Sequence, residues 1–322
     1  MKYKYIYALT LSMAMLAPAL ATEVYPSKPI TMITAFPAGG PTDTNARILA
    51  KGIGEELEQP IVVEIKPGGG STIASAYVSA IKPDGYTILY NTSSLLLGKL
   101  LYRTAKFDPL TDFVPVVRTV GVPLVVAVNP FVPVNDLKGL AELAKSKPGI
   151  LNYASSGTGT IDHLAAALLC KQLGIDMMHV PYKGTAPALI DVAGGRIDVM
   201  VTTLNTLLPY IHDKRMKPLA IASLNRSPLL PDLPTVAESI NLPNFEITAW
   251  NGIVAPAGVP PASVAHINAA VNKTLQDRAV IKQFQNNGTE IYGGTSEDYG
   301  AYLKSEFERW KTVIDEAGIQ PQ

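Results

Sequence analysis

The sequence predicts an α/β protein of two similar lobes with a ligand cleft between them. From Tyr25 onward, short β-branched or apolar runs alternate with longer helical ones, which marks βαβ units and a mostly parallel sheet. Each half then opens in the same way, with a strand, a Gly/Ser/Thr loop and a helix. The 322 residues, 47% hydrophobic and 17% charged, suffice for about two domains with sizeable cores.

Residues 1–21 come first. Lys2 and Lys4 precede an apolar run, 8–20, that ends in Ala19-Leu20-Ala21, the small-x-small pattern a signal peptidase accepts. The run is shorter than the ~20 residues of a spanning helix, and Pro18 interrupts its end. A cleaved leader and a soluble, exported, periplasmic chain starting near Thr22 are expected.

Residues 30–36 form the first expected strand. Pro37 to Pro41 break it, and Thr42/Asp43 can cap a helix carrying Ala46, Ile48, Leu49 and Ile53. A second strand over 61–65, a glycine-rich turn over 67–71, a helix over 73–81 and a strand over 86–90 follow. Residues 114–117 and 124–128 read as two buried strands, and 129–133 as a linker crossing to the second lobe. There, 151–154 is a strand, 155–160 a loop, 161–173 a helix and 178–180 a strand, continued by 197–201 and 219–222. An apolar strand at 250–254 precedes two amphipathic helices, 263–286 and 296–317. The lobes are expected as 22–128 plus 251–322, and 129–250.

Charge and cysteine content exclude several functions. Lys+Arg and Asp+Glu both number 27, so the basic surplus that nucleic-acid binding needs is missing. The single cysteine, Cys170, cannot form an internal disulfide, and no Cys/His spacing suits a metal. No metal or cofactor is expected.

The segment 36–43, Phe-Pro-Ala-Gly-Gly-Pro-Thr-Asp, sits where a strand ends and a helix begins, an anion-binding geometry. It lacks G-x-G-x-x-G and Gly-Lys-Ser/Thr, so it is neither a dinucleotide fingerprint nor a P-loop. A tight structural turn is the alternative. Residues 155–160, Ser-Ser-Gly-Thr-Gly-Thr, repeat the arrangement with added hydroxyls, so two such loops could hold both ends of a dicarboxylate. Thr92-Ser93 and Thr202-Thr203 end strand runs at the edge where parallel sheets meet ligands. Trp250 suits either a ligand wall or a filled domain joint. His163 reads as a helix-face or core histidine. A loop serine acting as a nucleophile has no Gly-x-Ser-x-Gly and no base placed by motif.

These segments, with Pro83-Asp84-Gly85-Tyr86, Val180-Pro181-Tyr182-Lys183-Gly184, Asp198-Val199-Met200 and Leu233-Pro234-Thr235, resemble the Bug-type (TctC-like) periplasmic solute-binding proteins of tripartite tricarboxylate transporters. The similarity runs from Tyr25 to the C-terminus. It implies a two-lobed periplasmic binding protein fold (type II-like) that closes on a small carboxylate, with waters bridging the ligand to the first loop. Partners would be a large and a small membrane subunit, with the receptor itself a monomer. Carried over by motif, the ligand-binding residues are Ala38, Gly39, Gly40 and Asp43, then Ser156, Thr158, Gly159 and Thr160, with Thr92, Ser93, Thr203 and Trp250 as weaker additions.

The chain departs from the family where Val201-Thr202-Thr203 loses an acid and Ile161-Asp162 gains one. Asp162 is either a solvated acid near a helix N-terminus or a cleft-facing carboxylate that would reject a second ligand anion. Binding without turnover is the leading reading. An exported hydrolase or transferase using a loop serine, and a sensor subunit presenting solute to a signalling receptor, are the alternatives.

Overall fold

The computed structural model describes residues 25–321 apart from 37, 183, 244, 287 and 317, so the expected leader lies outside the described residues. Strand β1 (Ile30–Thr34) leads into α1 (Pro41–Leu57), whose buried Ala46, Leu49, Ile53 and Leu57 recur at helical spacing. The strand ends two residues earlier than expected, which leaves Phe36 free to turn into a cavity described below. Strand β2 (Ile61–Ile65), helix α2 (Thr72–Ser79), strand β3 (Thr87–Thr92) and helix α3 (Ser94–Leu101) complete the first set. β1 lies between β2 and β3, parallel to both.

β4 (Phe113–Val128) is one strand of 16 residues where the sequence suggests two. Arg118, Gly121 and Pro123 interrupt its apolar pattern, but two β-bulges, between Pro115 and Val117 and between Arg118 and Val120, keep it in register. The Arg118 guanidinium lies 3.6 Å from the ring centroid of Tyr292 and 3.8 Å from that of Tyr302, which lets a cation sit within the sheet layer.

The second set repeats the first. After α4 (Leu137–Ser146) come β5 (Asn152–Ser155), α5 (Ile161–Leu173), β6 (Met178–Pro181), α6 (Thr185–Ala193), β7 (Val199–Thr203) and α7 (Leu204–His212). β5 lies between β6 and β7, parallel to both, as β1 lies between β2 and β3. β8 (Lys217–Ile221), α8 (Val236–Ile240) and β9 (Thr248–Pro256) bring the chain back.

The overall strand order is β2-β1-β3-β9-β4-β7-β5-β6. Two parallel triplets are thus joined through the antiparallel pair β9 and β4. From Phe113 to Pro123, β4 pairs with β9; from Leu124 it pairs with β7, and from Val125 with β8 as well. Leu124, Val126 and Val128 enter one core cluster while Val125 and Ala127 enter another, so both faces of the strand are covered.

The C-terminal region holds α9 (Pro261–Gln276), α10 (Arg278–Asn286), β10 (Glu290–Ile291) and α11 (Ser296–Glu316). The single helix expected over 263–286 is two, because Asp277 is extended and its carboxylate caps the second by accepting from the N–H groups of Ala279 and Val280. Helix α11 reaches both halves: Tyr299 and Leu303 pack with Ile33 and Leu89, while Trp310 and Ile314 pack with Leu140 and Leu169. Helices α3, α4, α6, α7 and α8 and strand β10 were not assigned from sequence.

Candidate functional site

The carboxyl ends of β1, β3, β5 and β7 open onto one cavity of about 310 Å³, at the small end for ligand pockets. Five helices begin at its wall. Pro41 and Thr42 of α1, Ile161 and Asp162 of α5, and Thr185 of α6 line it. So do Ser93 and Ser94 at the start of α3, and Thr203 and Asn205 at the start of α7. None of these five helices has its first N–H groups capped by the side chain of its N-cap residue. Of the helices that start elsewhere, α4 and α8 are capped, by Asp136 and by Thr235, whereas α2 and α9 are not. The positive ends of five helix dipoles therefore converge on the cavity, with the Ser94 N–H of α3 already taken by Thr92 Oγ1 at 3.1 Å.

The two strand-to-helix loops are built on one plan, 120 positions apart. Gly39 and Gly159 both adopt left-handed backbone, φ +80 and +79, which favours glycine. Gly40 and Thr160 follow in matching extended conformations (φ −77, ψ 168; φ −76, ψ 164). The Gly39 N–H donates to the Asp43 carboxylate at 2.9 Å, and the Gly159 N–H donates to His163 Nδ1 at 3.1 Å. Thr42 and Asp162, the second residues of their helices, hold equivalent places and both line the cavity.

Of the residues expected from sequence, Thr92, Ser93, Ser156, Thr158, Gly159, Thr160, Asp162, Thr203 and Trp250 line the cavity. Ala38, Gly39, Gly40 and Asp43 do not. The left-handed turn at Gly39 directs its N–H to Asp43, whose carboxylate also binds Arg47 Nε at 3.0 Å, so this acid closes its own loop. The first loop reaches the cavity through Phe36, Pro41 and Thr42 instead. Trp250 stands where the two alternatives for it meet. It lines the cavity and is fully buried, and its indole donates to Glu306 at 3.3 Å, which also accepts from Trp310 at 2.9 Å.

Asp162 is buried, not solvated as one reading of the sequence has it; only 3% of its surface is exposed. Its Oδ1 accepts from Thr202 Oγ1 at 3.1 Å. Burial raises its pKa against the lowering effect of hydrogen bonds from Ser156 and Thr202. Asp43 is shifted the other way, mainly by its hydrogen bond with Arg47 and then by the Gly39 N–H. Among the described residues lining the cavity there is no lysine, arginine or histidine, and Asp162 is the one carboxylate.

Beneath the second loop the imidazoles of His163 and His179 stack at 3.9 Å between ring centroids, with the Tyr153 ring 5.0 Å from His179. The Ser155 hydroxyl lies 2.7 Å from His179 Nε2, a serine-histidine contact that the sequence spacing does not reveal. Ser155 is fully buried and outside the cavity wall, and its hydroxyl also donates to the Gly157 carbonyl. That contact braces the loop rather than presenting a nucleophile. Among the described residues no group of three or more His, Cys, Asp or Glu could hold a metal.

Asn45 and Asn251 line the cavity and were missed. Asn45 Nδ2 donates to Asn251 Oδ1 at 3.4 Å, linking α1 to β9 across the joint. The signal was present: Asn45 stands on the same helix stripe as Leu49, and Asn251 interrupts an apolar strand, so each is a polar residue where a core residue is expected.

Residues 45–319 match the family model described as tripartite tricarboxylate transporter family receptor. Protein BugT of Bordetella pertussis is 32% identical over 98% of this chain and 97% of its own. Among solved structures, Rpa4515 of R. palustris with adipate superposes with a TM-score of 0.81 at 33% identity, covering 92% of this chain and 100% of that one. MatC of Rhodopseudomonas palustris with bound malate gives 0.76 at 31%, covering 90% and 100%.

Proposed function

Because the chain belongs to the tripartite tricarboxylate transporter receptor family, in its Bug-type branch, we propose that it is a periplasmic receptor that captures a small carboxylate. It would then deliver the solute to a large and a small membrane subunit of a transporter. The family and its neighbours are solute-binding proteins, not enzymes. The observation that carries the carboxylate reading is the convergence of five helix N-termini on a cavity whose described lining holds no cationic side chain. Each such terminus contributes about 0.3–1 kcal/mol toward an anion, and up to ~2 kcal/mol when partly buried. Several together can hold one carboxylate at micromolar strength, about −8 kcal/mol, with serine and threonine hydroxyls completing its shell.

In this reading the lobes are 22–128 plus 251–322 and 129–250, with β4 and β9 as the joint about which they would close on the ligand. Adipate and malate, held by two related proteins, set the size class to try first. Mass spectrometry of molecules released from freshly purified protein, followed by calorimetric titration, tests this function. A released small carboxylate that rebinds at micromolar strength and is recovered unchanged is the expected result. Steady conversion of that molecule, or no carboxylate binding at all, would overturn the receptor reading.

A further inference from the structure

The two loops that face the cavity share one backbone but differ in one side chain of the cavity wall. At the second position of α1 stands Thr42; at the second position of α5 stands Asp162. Both line the cavity, so the first half offers a hydroxyl and free helix N–H groups, while the second half offers a carboxylate. That carboxylate already occupies the second loop's anion donors. Thr202 Oγ1 donates to it at 3.1 Å, and the hydroxyl and N–H of Ser156 lie near enough to hold its pKa down against burial. No lysine, arginine or histidine stands among the described lining residues to offset its charge. Only 3% of its surface is exposed.

We propose that Asp162 is an internal anion that fills the second of two anion sites, so the receptor takes a ligand with one carboxylate and a hydrogen-bond donor, such as an amide, amine or hydroxyl, at its far end. This rests on the carboxylate-receptor reading and names the ligand class within it. The ligand carboxylate sits against α1, where no acid faces the cavity. The far-end donor meets the free lone pairs of Asp162. A dicarboxylate would bring two anions within roughly 5 Å in a site of low effective dielectric, at a cost of about 100-fold or more in affinity. It could enter only by bringing a proton to be shared between the two carboxyls.

The test compares isosteric pairs in which only the far-end charge differs: succinate and succinamate, adipate and adipamate, terephthalate and 4-carbamoylbenzoate. Calorimetric titration of the wild-type chain should favour the monoamide of whichever pair fits. Asp162→Asn should move that ratio toward the dicarboxylate by about 100-fold, and by no less than tenfold. Titration in buffers of different ionisation enthalpy supplies a readout that needs no variant. Dicarboxylate binding to the wild-type chain should take up close to one proton, and monoamide binding none. Should Asp162→Asn fail to fold, the proton count decides alone. A wild-type preference for the dicarboxylate without proton uptake overturns the inference while leaving the receptor reading intact, as does a ratio that stays within threefold in the variant. Failure of all six probes to bind either protein overturns the receptor reading and this inference together.

Discussion

The first loop closes on itself, whereas the second loop leans on a buried aromatic stack and turns its acid into the cavity. In the first, Gly39 donates to Asp43, and Asp43 is anchored by Arg47 one turn later. In the second, the same glycine N–H goes to a neutral imidazole, His163, and the acid stands one residue earlier, at Asp162. One backbone plan therefore supports two electrostatic outcomes. An acid at the third helical position caps its own loop, with its pKa lowered; an acid at the second lines the cavity, with its pKa raised. A single-residue offset decides between a structural and a functional carboxylate.

Alanine at each of the paired glycines should give the largest contrast. Gly39 has left-handed backbone and nothing within 4 Å of an added Cβ, so Gly39→Ala carries only the conformational cost of about 1–2 kcal/mol. Gly159 has the same φ, but an added Cβ would lie 2.7 Å from Leu101 Cδ1, and Leu101 is itself packed in a core cluster. Overpacking adds about 1–3 kcal/mol, so Gly159→Ala should cost roughly 2–5 kcal/mol by denaturant unfolding. Equal losses at the two sites would show that the loops are not packed as differently as their surroundings imply.

The imidazole that replaces Asp43 in the second loop makes that loop sensitive to acid. Burial, with His179 stacked beside it, pushes the His163 pKa down to about 4, and the Gly159 N–H needs its Nδ1 unprotonated. The unfolded chain, with an ordinary histidine near pH 6.5, binds the proton first. Stability is therefore complete above about pH 6.5 and falls as the pH drops toward 4, by about 1–3 kcal/mol once residual solvent screening is allowed for. Unfolding free energies measured from pH 7 to pH 4 should fall less steeply in His163→Gln than in the wild-type chain. Parallel curves would remove His163 from the account.

The strand-loop-helix repeat was legible because it is local: 30–36 with 37–41, and 155–160 with 161–173, each announce a break in an apolar run followed by a helical pattern. Helix α5 and strand β2 were placed to the residue. The joint was less legible, since β4 owes its length to partners on both sides and to bulges at positions that look like interruptions. Helix α7 carries Leu204, Leu207, Leu208 and Ile211 at helical spacing, but Pro209 inside it reads as a breaker, and α3, with three successive leucines, reads equally as a short buried strand. In the site, loop residues were found by type, but whether an N–H is spent on a neighbour or left for a ligand is a matter of tertiary partners. Gly39 and Gly159 look alike in sequence and both spend their N–H on a neighbour, Asp43 and His163, yet only Gly159 lines the cavity.

The finest contrast concerns the two acids, whose removal should change stability in opposite directions. Asp43 is ionised more easily in the folded chain than in the unfolded one, chiefly through Arg47 and then the Gly39 N–H. Its contribution is present above the unfolded carboxylate range and is lost as the pH falls through its lowered folded value. Near neutral pH, Asp43→Asn should cost about 1 kcal/mol, the usual worth of a helix-start cap with its dipole interaction. Asp162 is raised by burial, so the folded chain holds its proton longer than the unfolded chain does. Its contribution runs the other way: stability is lost as the pH rises from the ordinary carboxylate range through the raised folded value. Asp162→Asn removes that penalty while its amide oxygen still accepts from Thr202, and should stabilise the ligand-free protein by about 1 kcal/mol at pH 7. The gap between the variants should close as the pH approaches 3, where both natural acids are protonated in the unfolded chain. Denaturant unfolding of the two variants at pH 7 and at pH 3.5 decides it. A loss in both at pH 7 would mean that Asp162 is held in place by partners strong enough to offset its burial, and is a structural acid like Asp43.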